Sequence, residues 1–201
     1  MKQRKVLGVV FLLFLLLGCR SQEEINSAEN RLIVCLGDSL TFGKGAEEGK
    51  NFPAYLEQFS RFRVVNAGVS GDTTSGALLR INRDVLRLHP DLVIIELGGN
   101  DYLRGVPFSL TLANITRMID ILRKNNIKVV LCDVFDYPFM RRYRIAFARL
   151  CRKSNCLFIP HVLAGIIDKG ALMSDSIHPN SQGYKIMAER IYKAIKKILN
   201  E

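Results

Sequence analysis

Histidine is scarce in this chain, with three in 201 residues, so chemistry that needs an imidazole has few candidates. No cysteine–histidine spacing of the metal-binding kind occurs. Nothing repeats and no stretch is low in complexity, which excludes solenoids and propellers. The longest apolar run, residues 6–17, has twelve members and is too short to span a bilayer comfortably. Acidic residues are outnumbered, 19 to 29, giving a formal net charge of +10. The cations are scattered and no aromatic-interleaved basic patch appears, so nothing points to nucleic acid as a partner. The charge is a surface property that favours anionic surfaces and substrates. What remains is a chain of ordinary domain size, long enough for a full core.

The amino terminus lies outside that domain. Lys2, Arg4 and Lys5 precede the apolar run, as in a secretory signal. The run closes on Leu16-Leu17-Gly18-Cys19, which resembles the bacterial lipobox. That resemblance implies a signal peptide over residues 1–18 and a diacylglycerol on Cys19. Residues 20–30 (RSQEEINSAEN) are polar and aperiodic, a tether to a domain at 31–201. The expectation is an exported lipoprotein held at a cell-envelope membrane. An uncleaved anchor, or an ordinary signal with an incidental cysteine, is the other reading. Cys35 and Cys132 fall in apolar, strand-like runs and read as core thiols. Cys151 and Cys156 sit at the end of a helix, near enough for a local disulfide outside the cytoplasm.

Short apolar runs alternate with helical periodicity along the domain. Strands are expected at 32–36, 63–66, 91–97, 128–134 and 156–160, and helices at 51–62, 73–88, 108–124, 141–152 and 181–199. In the second helix Leu78, Leu79, Ile81, Val85 and Leu86 are expected largely along one side. This alternation implies a mostly parallel sheet covered on both faces. Right-handed crossovers bring the carboxyl ends of all strands to one edge, where open α/β sheets bind ligands. Ser39, Gly68 and Asn100 follow strands one, two and three, so all three reach that edge.

A serine hydroxyl there is a candidate nucleophile, and it needs an oriented base. His89 precedes Pro90 and serves a helix terminus; His161, after strand five, reads as structural or exposed and is the only rival. His178, in Asp175-Ser176-Ile177-His178-Pro179, lies just before the last helix. One tight turn can present the Asp175 carboxylate to one ring nitrogen and leave the other for Ser39. The backbone N–H groups of Ser39 and Gly68 and the Asn100 amide are candidate oxyanion donors. Asp38, Asp72 and Asp101 read as turn or cap residues. No G-x-S-x-G elbow surrounds Ser39, which argues against an ordinary α/β-hydrolase.

Gly-Asp-Ser-Leu at 37–40, Gly68 in NAGVSGD, Asn100 in GGND and Asp175 to Pro179 (DSIHP) resemble the four signature blocks of the SGNH (GDSL-type) hydrolases. They occur in that family's order. The resemblance implies a flavodoxin-like three-layer α/β/α fold with a five-stranded parallel sheet of order 2-1-3-4-5. It implies a catalytic Ser39, His178 and Asp175, an oxyanion hole of Ser39, Gly68 and Asn100, and no cofactor or metal. ELGGNDYLRGVP, SGDTTSGALLRI, Tyr137-Pro138 and Arg142-Tyr143 look most like the bacterial periplasmic acyl-CoA thioesterase/lysophospholipase subfamily, from whose best-known members the lipobox departs.

The expected function is hydrolysis of acyl esters or thioesters through an acyl-enzyme. The alternatives are a carbohydrate O-acetylesterase of the cell envelope and a non-catalytic envelope lipoprotein. Tyr102, Leu103, Val106 and Phe108 leave the catalytic edge directly after Asn100 and are expected to wall an acyl pocket. The other reading makes them a plain connection into the next helix. Arg104 is a candidate for attracting a phosphate-bearing leaving group. Oligomeric state leaves no mark on the sequence.

Overall fold

A computed structural model describes residues 31–136 and 140–199. The signal peptide, Cys19, the tether and Tyr137-Pro138 therefore lie outside the described residues. Strand β1, Leu32–Gly37, is buried at every position, as its uniformly apolar sequence requires of a strand covered on both faces. It is flanked by β2 (Arg63–Gly68) and β3 (Leu92–Glu96), followed by β4 (Lys128–Cys132) and β5 (Leu157–Ile159). The sheet order is β2-β1-β3-β4-β5, and each neighbouring pair is parallel. This is the expected flavodoxin-like α/β fold.

The chain reverses its direction of travel across the sheet between β1 and β3, which opens a crevice at their carboxyl ends. The single-turn helix α1 (Ser39–Phe42) follows β1, and α2 (Phe52–Ser60) carries the chain to β2. Helix α3 (Thr74–Asp84) leads towards β3. The single-turn α4 (Gly99–Leu103) and the long α5 (Phe108–Lys124) join β3 to β4, and α6 (Arg141–Ser154) joins β4 to β5. The carboxyl-terminal α7 (Ser181–Leu199) lies beside α2, where Phe59 and Tyr192 meet with ring centroids 6.3 Å apart. On the opposite face α5 lies between α3 and α6.

Three helices on the way to β3 start where the sequence supplies a cap. The Asp38, Asn51 and Thr73 side chains accept from backbone N–H groups of α1, α2 and α3. Strand and helix bounds agree with expectation to within about three residues, the usual uncertainty of element ends. Helix α3 is the exception: it stops at Asp84 and gives way to a short 3-10 turn, Leu86–Leu88. His89 closes that turn with φ 50° and bonds its N–H to the Leu86 carbonyl, the terminus role expected of it.

The inner face of α3 differs from expectation. Leu79 is 88 % exposed, whereas Thr74, Ala77, Arg80 and Ile81 face inwards. The reason is Arg80, a charged residue at a core-facing position. Its guanidinium donates to the Asp72 carboxylate at 2.8 Å, the Asp84 carboxylate at 3.1 Å, the Ala67 carbonyl at 2.8 Å and the Gly37 carbonyl at 3.0 Å. It clamps together the carboxyl ends of β1 and β2. Cys35 and Cys132 are buried thiols as expected, and burial pushes both up in pKa. Cys151 and Cys156 are joined in a disulfide that ties the end of α6 to the start of β5.

Candidate active site

The turn after β1 is shaped by Asp38. Its Oδ1 caps α1 by accepting the Leu40 N–H at 3.0 Å, and this sets Ser39 in the first turn of α1 with its hydroxyl at the sheet edge. The Oδ2 atom accepts from the Asn100 side-chain amide at 2.9 Å. One buried carboxylate thus aligns the serine turn with the asparagine of α4. Burial lifts the Asp38 carboxyl to about 6 against the lowering effect of its hydrogen bonds.

His178 arrives from the opposite side, in the loop ahead of α7. Asp175 Oδ1 accepts the N–H groups of Ile177 at 2.9 Å and His178 at 2.8 Å, forming the tight turn. Its Oδ2 lies 2.7 Å from His178 Nδ1. His178 Nε2 lies 2.9 Å from Ser39 Oγ. The loop is pinned at both ends: Ser174 N–H donates to the His178 carbonyl, and Asn180 N–H to the Leu172 carbonyl. The Ile177 N–H first, then the His178 ring, hold the Asp175 carboxyl at about 2, so it is anionic at neutral pH. His178 is buried, whereas the Asp175 carboxylate at the outer end of the relay is exposed.

The rival histidine is placed elsewhere. His161 Nδ1 contacts Asp136 Oδ1 at 2.7 Å, and its ring is half-exposed. Asp72 salt-bridges Arg80, and buried Asp101 accepts from Thr74 and Thr111 to join α3 and α5 to the Asn100 turn. Both are supports, as expected.

One expected oxyanion donor needs correction. Gly68 N–H donates to Asn66 Oδ1 at 2.9 Å and is not free for an oxyanion while that bond holds. Gly68 is glycine for another reason: a Cβ there would stand 2.2 Å from the Phe42 backbone nitrogen. In the same block, Gly71 adopts φ +78°, a region that favours glycine. Among the described residues neither Gly71 N–H nor Ser39 N–H donates to a partner. Arg104, the candidate for attracting a phosphate-bearing leaving group, donates to the Gly71 carbonyl at 2.7 Å, which ties it to that turn.

The cleft beside the reactive groups is lined by Ser39, Asn100 and His178, with Leu40, Leu103, Val134, Met140, Leu163, Ile167 and Ile177 as its apolar wall. Of the four residues expected there, only Leu103 lines it. Phe108 stacks edge-on against Tyr143, with centroids 4.9 Å apart, and Tyr102 meets Tyr143 at 5.9 Å. Val106 serves the connection, its N–H bonded to the Asp101 carbonyl. The wall that sequence reasoning missed comes mainly from the segments after β4 and β5. The apolar pair Leu163 and Ile167, one helical turn apart beyond a strand end, was its available signal.

A serine, a buried histidine and an ordered carboxylate, meeting at the carboxyl edge of a doubly wound parallel sheet, define a serine hydrolase on a flavodoxin-like frame. The chain belongs to the GDSL-like lipase/acylhydrolase family, whose model matches residues 35–186. It is 32 % identical to an arylesterase of Vibrio mimicus over 93 % of this chain and 96 % of that protein. It is 29 % identical to thioesterase 1/protease 1/lysophospholipase L1 of Escherichia coli strain K12, over 94 % of this chain and 92 % of that one. Among solved structures, the psychrotrophic esterase EstA from Pseudoalteromonas aligns with a TM-score of 0.78 and 28 % identity, covering 86 % of this chain and all of that one. The protein is an ester-bond hydrolase.

Proposed function

We propose that this hydrolase cleaves acyl esters or thioesters through an acyl-enzyme on Ser39. The observation that carries the reading is the continuous relay from Asp175 through His178 to Ser39 Oγ. Neutral His178 takes the Ser39 proton at Nε2 as Oγ attacks the carbonyl carbon. The carbonyl oxygen gains negative charge and is met by Ser39 N–H, the Asn100 amide and, in place of Gly68, Gly71 N–H. The imidazolium, steadied by anionic Asp175, then gives its proton to the departing alcohol or thiol. Water repeats the sequence on the acyl-enzyme and frees the acid.

The acyl chain lies against Leu40, Met140, Leu163 and Ile167, and the apolar character of that wall favours chains longer than acetyl. The arylesterase, thioesterase and lysophospholipase relatives support aryl ester, acyl-CoA or lysophospholipid leaving groups. The lipobox supports a lipid on Cys19 that tethers the enzyme to a cell-envelope membrane. Mass spectrometry of membrane-purified protein tests this, and an unmodified Cys19 refutes it.

Ser39→Ala and His178→Ala should each lower kcat on nitrophenyl esters by roughly 10⁴- to 10⁶-fold, and Asn100→Ala by about 10²- to 10³-fold. A folded Ser39→Ala protein with wild-type turnover would sink the mechanism.

A further inference from the structure

Glu96, the last residue of β3, is fully buried beneath the reactive groups, and the mechanism above gives it no task. Its Oε2 accepts from the Thr41 backbone N–H at 3.1 Å and the Thr41 hydroxyl at 2.7 Å, which fixes the carboxyl against α1. Its Oε1 is buried with no donor among the described residues. An ionised carboxylate with an orphaned oxygen in such a place would carry a large desolvation cost. A protonated one has an O–H to give, and the neighbouring Asp38 carboxylate, close enough to couple to it electrostatically, is an acceptor. The orphaned oxygen is thus unsatisfied as an acceptor and satisfied as a donor.

We propose that neutral Glu96 and anionic Asp38 form a proton-sharing acid–carboxylate pair that positions the Asn100 amide and the Ser39 turn for catalysis. Both are positioning residues, and their role rests on the serine mechanism proposed above. The pair explains how Asp38 stays anionic while 3 % exposed. It receives three donors: the Leu40 N–H, the Asn100 amide and the Glu96 hydroxyl. A fixed anion here aims one Asn100 proton inwards and leaves the other for the oxyanion. Burial and the neighbouring Asp38 charge both push Glu96 far up from the carboxylate range.

Other ionisable groups facing the pair are the Cys35 thiol of β1, the Cys132 thiol of β4, the Tyr184 phenol of α7 and the His178 ring. The thiols and the phenol are raised by burial, so at neutral pH none supplies the proton that the pair shares. Loss of that proton at alkaline pH puts two anions side by side and breaks the alignment.

The experiment has two arms on the folded domain. Difference infrared spectroscopy of wild type against Glu96→Gln should show a protonated carboxylic acid carbonyl at neutral pH that the variant lacks. This arm reads the pair without reference to catalysis, so it stands or falls separately from the Ser39 mechanism. In the kinetic arm, Glu96→Leu should lower kcat about tenfold or more with KM little changed, a fraction of the cost of losing an oxyanion donor outright. Glu96→Gln, whose amide can still donate to Asp38, should recover most of that loss and lack the alkaline fall of kcat expected of the wild type. No acid carbonyl band, or a Glu96→Leu protein with wild-type kcat, overturns the proposal. Should Glu96→Leu fail to fold, the infrared band and the alkaline limb of Glu96→Gln decide the matter.

Discussion

Replacing Arg80 by methionine removes a charge from the inner face of α3 while keeping similar length and apolar bulk. Arg80 and Asp72 are only 9 % and 10 % exposed at their side chains, so this is a buried ion pair, not a surface one. Breaking such a pair from one side costs about 3–5 kcal/mol, because the remaining charge is stranded. Asp84 keeps Arg83 as a partner and Gly37 keeps the Val69 N–H, so their share is small. Among the described residues Asp72 retains only the Thr73 N–H and carries most of the penalty. A loss of about 3–4 kcal/mol follows, from a total that in such domains is about 5–15 kcal/mol. At this size it lowers Tm by roughly 10 °C. Urea and thermal unfolding of Arg80→Met measure it, and adding Asp72→Asn should return about 2 kcal/mol through the shared interaction. Because Arg80 grips the Gly37 carbonyl next to Asp38 and Ser39, the folded variant should also lose about tenfold in kcat. An Arg80→Met protein within 1 kcal/mol of wild type, or a double variant no better than the single, refutes the clamp.

Leu163→Ala and Ile167→Ala should flatten the rise of kcat/KM with acyl chain length, since each methylene buried against that wall gains at most about 0.8 kcal/mol. Phe108→Ala should leave the profile unchanged, and nitrophenyl esters from acetyl to decanoyl read the difference. Gly68→Ala should destabilise by about 1–3 kcal/mol through overpacking against the Phe42 backbone, which chemical denaturation measures, whereas a mere loss of one oxyanion donor would leave stability alone. Asp175, anionic above about 2, should add no acid limb of its own to the pH–rate profile. Asp175→Asn should cut kcat by about 10²- to 10⁴-fold. The depressed Asp175 carboxyl also contributes stability that is full above the unfolded value of about 4 and is lost as pH falls through about 2. Acid titration of Asp175→Asn should lack that increment.

The groups that touch the reacting atoms were legible in the sequence because chemistry restricts their types and topology restricts their places. A serine, an asparagine and a histidine in turns at strand ends or before a helix have few other reasons to converge, and the Asp175-to-His178 spacing already prescribes a turn. The groups that support them were not legible, because hydrophobic periodicity equates burial with apolar character. Arg80 and Glu96 violate that rule, and each is buried where it meets the end of β1 or the turn that follows it. A charged residue there is tolerable only when specific oxygens and donors surround it. Those partners, Gly37, Ala67 and Asp72 for one and Thr41 and Asp38 for the other, are distant in sequence or look like ordinary turn residues. The cleft wall was misplaced for a related reason. Residues 102–108 leave the catalytic edge as expected, but Tyr102 and Phe108 meet Tyr143, and that aromatic contact draws them towards α6 and away from the substrate. Val134 and Met140 after β4 and Leu163 and Ile167 after β5 fill the place instead. Polar exceptions to the buried pattern at the end of a central strand therefore mark the support of the site, much as polar residues in the turns beyond mark the site itself.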